Sequence, residues 1–463
     1  MKKLSAPQFY ALAFGLFLGL CIWKFGNPVI LDHIIYTPRS PSELLNEAWP
    51  LRWVNWLLLP LVLVGAALVL QHNISRLPSQ WLWLLPLAWL GWQFVSALQT
   101  VDADLTAATL WQFSGCVACY FLGAFLFSQR AAQHLLFIGI FVALTFCLIR
   151  AVDQRLFEFP VNHQVLVEGE RVGWTNFPPA TVVEMKQTGI IITTNGMEVA
   201  NPVILEKFRK GRVAGTLVYP NALAGLILLL FPVALTLAFG ATKKMRKPIR
   251  LAVIALAVFL GGAAFFWSGS KLGWLVGIGI AGMFALRLDW PKKIKFAAVA
   301  TVLIFGLGIF AVRFQHYFST GAHSASARLD YWRAAVQTTL SKPVTGTGPG
   351  TFQRAYAQIK APESEMARLT HNDYLEQFSD SGIPGGLTYA AWIGLALVVI
   401  GKKFWRNADK VSFAMFAGLL GWFAQGFGEF ELYIPALAWI AFTLLGALVA
   451  AEINQFDKKS AGR

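Results

Sequence analysis

Cysteine is scarce, and the four present, Cys21, Cys116, Cys119 and Cys147, all fall inside apolar runs, where a thiol behaves as a small hydrophobe. The "CVAC" spacing is half of a zinc site, and the other two ligands are missing nearby. Nor do the seven histidines form an HExxH or comparable pair, so no metal is expected. Charged residues make up only 14% of the 463 positions against 56% hydrophobic ones, too few for a soluble globular chain. There is no internal repeat and no low-complexity linker. No small-residue cleavage site follows the first apolar run, which ends in "CIWKFG", so that run reads as a retained span.

What the chain does have is apolar runs long enough to cross a hydrocarbon core of about 30 Å. Twelve are expected, near 8–23, 52–70, 81–98, 106–127, 134–149, 214–239, 250–267, 271–286, 296–312, 385–401, 411–428 and 432–451. With the N-terminus in the cytoplasm, one set of alternate loops and the tail carries 20 Lys+Arg against 4 Asp+Glu, and the other side 19 against 20. That asymmetry is the positive-inside pattern. It accounts for the net charge of +15 and removes the case for nucleic acid as a partner, leaving anionic membrane lipid as a secondary use of the basic loops.

The expected fold is therefore an all-α polytopic membrane protein of about 12 transmembrane helices with an extracytoplasmic cap. Residues 1–149 hold helices 1–5 and residues 214–312 helices 6–9; residues 385–463 hold helices 10–12 and the cytoplasmic tail. Between them lie 150–213, whose Val/Ile/Thr-rich runs broken by Gly, Asn and Pro predict a small β-rich insertion, and 313–384, a large helical outer loop.

Within that loop, "THNDYLEQFSDSGIPGG" (370–386) reads as a short helix capped by Thr370 and stopped at Gly382 and Pro384, with His371 in its first turn. The positive helix end there favours a neutral imidazole, able to accept a proton. The plainer reading is a surface histidine on a helix resting at the bilayer boundary. Asp373, Glu376 and Asp380 fall three, four and seven apart, as a solvated helix face would place them. Arg212 sits at the outer mouth of the sixth span and Arg328 in the same loop as His371. Planar, permanently charged guanidiniums suit phosphate or pyrophosphate, though an arginine at a span end also snorkels to headgroups. "GTGPG" (346–350) lacks both a preceding strand and a following Lys-Ser/Thr, so it reads as a tight turn packing the cap on the membrane domain.

The form His-Asn, nine residues, Gly-x-x-Gly in "HNDYLEQFSDSGIPGG" resembles the signature of the O-antigen ligase and polysaccharide polymerase superfamily. "GRVAGTLVYPNALAG", "SGSKLGWL" and "ARLDYWRAAVQTTLSKPVTGTGPGTF" are similar to further family segments in the same chain order, over about residues 205 to 400. The resemblance implies a bacterial inner-membrane enzyme with cytoplasmic termini and a periplasmic active site. Such an enzyme, inverting and independent of metal and cofactor, moves a glycan from undecaprenyl pyrophosphate to lipid A-core or another glycan acceptor. It also implies that Arg212 and Arg328 bind the leaving pyrophosphate and that His371 deprotonates the acceptor, with substrate contacts from Lys271, Asn221, Asn372, Tyr374 and Trp332. Where the family has Ser-Arg this chain has Ser270-Lys271, a point charge in place of a fork. The alternatives are an O-antigen or exopolysaccharide polymerase, a protein O-oligosaccharyltransferase and a lipid-linked glycan transporter. A transporter predicts ionisable residues inside the spans, whereas here the charged candidates gather in outer loops.

Overall fold

The computed structural model describes residues 4–71, 83–319, 323–362, 364–407 and 409–460. Twelve apolar helices match the twelve expected runs in order: α1 (Ala6–Lys24), α2 (Leu51–Gln71), α3 (Leu84–Ala97), α4 (Ala103–Leu126), α5 (Arg130–Asp153), α6 (Pro220–Ala241), α7 (Lys247–Ser268), α8 (Lys271–Leu286), α9 (Lys292–Ser319), α10 (Asp373–Asn407), α11 (Lys410–Gln425) and α12 (Pro435–Ser460). Among the described residues, eight helices are long and apolar enough to cross a membrane by length and composition. The protein is an all-α polytopic membrane protein.

Helix α12 is the axis of the bundle. From Ala436 to Val449 its apolar side chains are buried on every face, as expected of a helix that is hydrophobic all round. It packs on α4 through small residues: a Cβ at Gly446 would collide with the Tyr120 carbonyl, and one at Gly123 with the Thr443 carbonyl. Close backbone approach of this kind replaces the hydrophobic effect as the force between helices already in lipid. At the periphery, α2, α7 and α9 turn Leu59, Leu63, Leu256, Phe259, Ile304 and Phe305 outward, the apolar belt that hydrocarbon solvates.

Of the β character expected for 150–213, one hairpin is present, Ile191–Thr194 paired antiparallel with Met197–Ala200. Its turn is Asn195-Gly196, both at positive φ, the pair that a tight hairpin favours. The rest is helical. Helix α5 runs on through a π-turn (Gln154–Glu158) into Phe159–Arg171, followed by Pro179–Gln187 and Pro202–Lys210. Short Val-rich runs do not distinguish strand from helix by composition. Here Phe159, Leu166 and Gly169, seven and three apart, put one helical face inward. The loop before α10 is helical as expected, with His323–Ser341 and Phe352–Ile359 sharing a small core around Tyr331, Ala335, Phe352 and Tyr356.

The region 370–386 is placed differently from expectation. Helix α10 begins at Asp373, and its cap is Asn372, whose Oδ1 accepts from the backbone N–H of Tyr374 at 3.1 Å and Leu375 at 3.0 Å. Thr370 braces that cap, its hydroxyl bonding Asn372 at both N–H and C=O. His371 therefore precedes the helix, in the left-handed region at φ 53°. Gly382, at φ 69°, breaks α10 without ending it, and the helix resumes through Pro384 to Asn407. The three acids are buried, not solvated: Asp373, Glu376 and Asp380 are each at most 3% exposed.

The Asp380 carboxylate explains the glycine-rich turn. It accepts from Gly350 N–H at 2.7 Å, with the N–H groups of Thr351 and Phe352 also directed at it, at the start of helix Phe352–Ile359. The turn also bonds back to α10, Gly348 N–H donating to the Asp380 carbonyl at 2.8 Å. Gly346, Gly348 and Gly350 all have positive φ, which lets successive N–H groups converge on one acceptor group. Residues 346–350 are thus a tight turn joining cap to membrane domain, and the carboxyl group they hold belongs to the chain itself.

Candidate functional site

Helix Pro202–Lys210 ends at Gly211 in the left-handed conformation, and the chain turns so that the next side chain, Arg212, points into the bundle. Its Nε donates to the Ser268 carbonyl at 2.8 Å and its Nη2 to Asn221 Oδ1 at 2.7 Å, in the first turn of α6. Asn221 passes the contact on, Nδ2 donating to Glu429 Oε1 at 2.8 Å. Arg328, from helix His323–Ser341, donates to that same oxygen at 2.6 Å. The other carboxylate oxygen lies 3.5 Å from His371 Nδ1, long for a hydrogen bond but close for an ion pair.

Glu429 is therefore the hub, 4% exposed, in the loop between α11 and α12. Burial pushes its carboxyl up, but the contact with His371 and the charge of Arg328 outweigh that and hold it below the usual carboxylate range. Burial acts the other way on Arg212, lowering it, with the Glu429 charge opposing; the guanidinium stays charged at any ordinary pH. The imidazole of His371 is fixed by Phe430, edge-on at 4.7 Å, and by Tyr331 at 6.0 Å. With Nδ1 turned to a carboxylate, the tautomer protonated there leaves Nε2 as the basic nitrogen. A cavity of ≈ 30 Å³ lies among Tyr219, Asn221, His371, Glu429, Phe430 and Glu431, room for little more than a water.

Glu431 lines that cavity too, 1% exposed, with both carboxylate oxygens lacking a hydrogen-bond partner. Burial first, then the nearby Asp373 and Glu429, push its carboxyl well above the usual range.

Of the residues singled out from sequence, Arg212, Asn221, Arg328 and His371 meet. Lys271 opens α8 with its ammonium 3.9 Å from the centre of the Tyr317 ring, within electrostatic reach of both arginines. The others have structural positions. Asn372 caps α10; Tyr374 stacks on Phe427 at 4.2 Å and donates its hydroxyl to the Phe423 carbonyl; Trp332 packs on the small core of the outer helices. Glu429 and Glu431 were legible only as the polar gap "GEFE" between two apolar runs. Two acids there were the available signal, since ionisable groups beside spans are costly to keep.

Two guanidiniums, a lysine and a carboxylate-backed imidazole thus gather at one end of a helical membrane bundle. Residues 256–390 match the family model described as O-antigen ligase, a match that supports the O-antigen ligase superfamily of ligase- and polymerase-type membrane glycosyltransferases. The matched stretch contains Lys271, Arg328 and His371; Arg212, Asn221 and Glu429 lie outside it. No curated protein matches the chain.

Proposed function

We propose that this protein transfers a glycan from undecaprenyl pyrophosphate to an acceptor hydroxyl on the periplasmic side of a bacterial inner membrane, with inversion and without a metal, and that lipid A-core is the acceptor. The observation that carries the reading is the convergence of Arg328 and His371 on the buried carboxylate of Glu429, with Arg212 joined to it through Asn221.

The acceptor oxygen attacks the anomeric carbon as the bond from that carbon to the pyrophosphate oxygen breaks. The acceptor's proton passes to His371 Nε2, and the electron pair of the broken bond leaves on undecaprenyl pyrophosphate. Charge grows on the leaving group, where guanidiniums fixed in advance stabilise it more than they stabilise the donor. An imidazolium forms at the same moment, and Glu429 stands beside Nδ1 to stabilise it, the role a buried carboxylate has next to a catalytic histidine elsewhere. At rest Glu429 neutralises one guanidinium, leaving Arg212 or Arg328, together with Lys271, as net positive charge for the pyrophosphate. The charge asymmetry of the loops supports a periplasmic site.

The test is deletion followed by gel analysis of surface polysaccharide. Complete glycan left on undecaprenyl carrier, with bare lipid A-core, is the expected result. Single repeat units on the core would instead indicate a polymerase, and unchanged polysaccharide would remove the assignment.

A further inference from the structure

A second cavity of ≈ 1810 Å³ lies among α6, α7, α8, α9 and the start of α11. It is far larger than the roughly 300–1,000 Å³ typical of small-molecule pockets. Its wall is apolar for most of its length, with Phe231, Leu235, Phe265 and Ile278 among the lining side chains. Along α8 it extends from Trp274, one turn beyond Lys271, to Arg287. That is about 20 Å of helix axis, comparable with a long hydrocarbon chain and shorter than the full hydrocarbon core.

The two ends differ. Toward the reaction centre the wall closes on Phe265 and Trp274; at the opposite end of the bundle it is ringed by Lys243, Arg250, Arg287, Lys295 and Lys410, with Asp289 and Asp409. Asp409 is already engaged, paired with Arg130 and capping α11. Arg287 rests on the Phe413 ring at 4.4 Å, which keeps its guanidinium at the rim. The positive-inside pattern accounts for cations on this face, but not for a ring of them around the mouth of an apolar shaft. In a bilayer such a shaft fills with hydrocarbon, and the ring selects what the hydrocarbon is attached to.

We propose that this cavity is a binding site for an anionic phospholipid, its acyl chain running between α6 and α8 toward Trp274 and its phosphate held at the ring of Lys243, Arg250, Arg287, Lys295 and Lys410. The site is separate from the reaction centre and stands whether or not the glycosyl-transfer reading holds. It makes the protein sensitive to the anionic lipid content of the leaflet opposite the one where transfer occurs.

The experiment uses the full chain, purified in mild detergent and titrated with phosphatidylglycerol or phosphatidylethanolamine, bound lipid being counted by native mass spectrometry. Phosphatidylglycerol binds in preference, and Arg250→Gln with Arg287→Gln weakens it about 30-fold, since each cation near such a surface contributes about a fivefold factor. Gly262→Leu keeps the ring and fills the shaft; Gly262 lines the cavity and nothing lies within 4 Å of a Cβ built there, so this variant folds and also loses the lipid. Equal retention of both lipids by the parent, or unchanged phosphatidylglycerol binding in Gly262→Leu, overturns the proposal. So does displacement of phosphatidylglycerol by undecaprenyl phosphate with the same potency in the parent and the double variant, which would make the shaft a polyprenyl channel.

Discussion

Glu429→Gln separates donor binding from chemistry. The substitution keeps the shape of the side chain, so Asn221 keeps a partner, while the charge between Arg328 and His371 is removed. Two opposite effects follow. A bound pyrophosphate no longer competes with Glu429 for Arg328. A hydrogen bond to a charged group is worth about 1.5–3 kcal/mol, and Arg328 is 23% exposed, so the lower part of that range applies; the donor should bind up to about tenfold more tightly. Turnover moves the other way. The imidazolium that forms on His371 loses its stabilising carboxylate, and general-base catalysis by a positioned histidine contributes about 100- to 10,000-fold, of which an orienting partner carries a large share. We expect turnover to fall at least about 100-fold. The assay is purified protein in lipid bilayers, with donor affinity measured by displacement of labelled undecaprenyl pyrophosphate and transfer by product mobility on gels, on material whose melting curve is a single transition. Donor affinity lost while turnover is retained would refute the reasoning, because Glu429 would then be an element of the binding site and not a partner of His371.

Four further outcomes follow from the same geometry. His371→Ala should abolish transfer by about 100- to 10,000-fold while leaving donor binding in place, whereas Arg212→Lys and Arg328→Lys, which keep charge and lose the fork, should weaken both; transfer at the parent rate by His371→Ala would return His371 to a packing role. Cysteine accessibility should place residues 324–362 outside the cytoplasm, and labelling from the cytoplasmic face would defeat the orientation drawn from loop charge. Because the folded carboxyl of Glu429 lies below its usual value, its contribution to stability is complete above the ordinary carboxylate range and is lost as pH falls through the folded value. The melting temperatures of the parent and Glu429→Gln should therefore differ by a constant amount near neutrality and converge in acid. Transfer should survive EDTA, since the described residues hold no group of three His, Cys, Asp or Glu side chains able to bind an ion; loss restored by a divalent cation would contradict this.

Much of the fold was legible because membrane spans are written in length and apolarity, which need no knowledge of neighbours. Arg212, Arg328 and His371 could be selected because their chemistry is unusual at span ends. What joins them could not be. Glu429 stands in a loop that reads as a spacer, and its role depends on α6 and the outer helix arriving beside it. The same limitation misplaced the acids of α10: their spacing fits a wetted helix face, and only the turn 346–350 and the strand of loop at Leu432, which donates to Asp373, show that backbone N–H groups surround them. His371 was expected in the first turn of its helix because Thr370 is as good a cap as Asn372 by type. The deciding factor is a left-handed backbone at 371, which histidine tolerates more readily than most residues and which no local pattern announces.

The position of Glu429 in the chain also bears on how the protein is made. A nascent chain that has delivered α1 to α10 into the membrane already carries both arginines and the histidine, yet it lacks the carboxylate that orders them and the central helix α12 on which α4 closes. On the proposed mechanism, insertion of the last hairpin, α11 and α12, is therefore the step that completes the reaction centre. A chain stalled before it displays cations at the membrane surface without a working base among them.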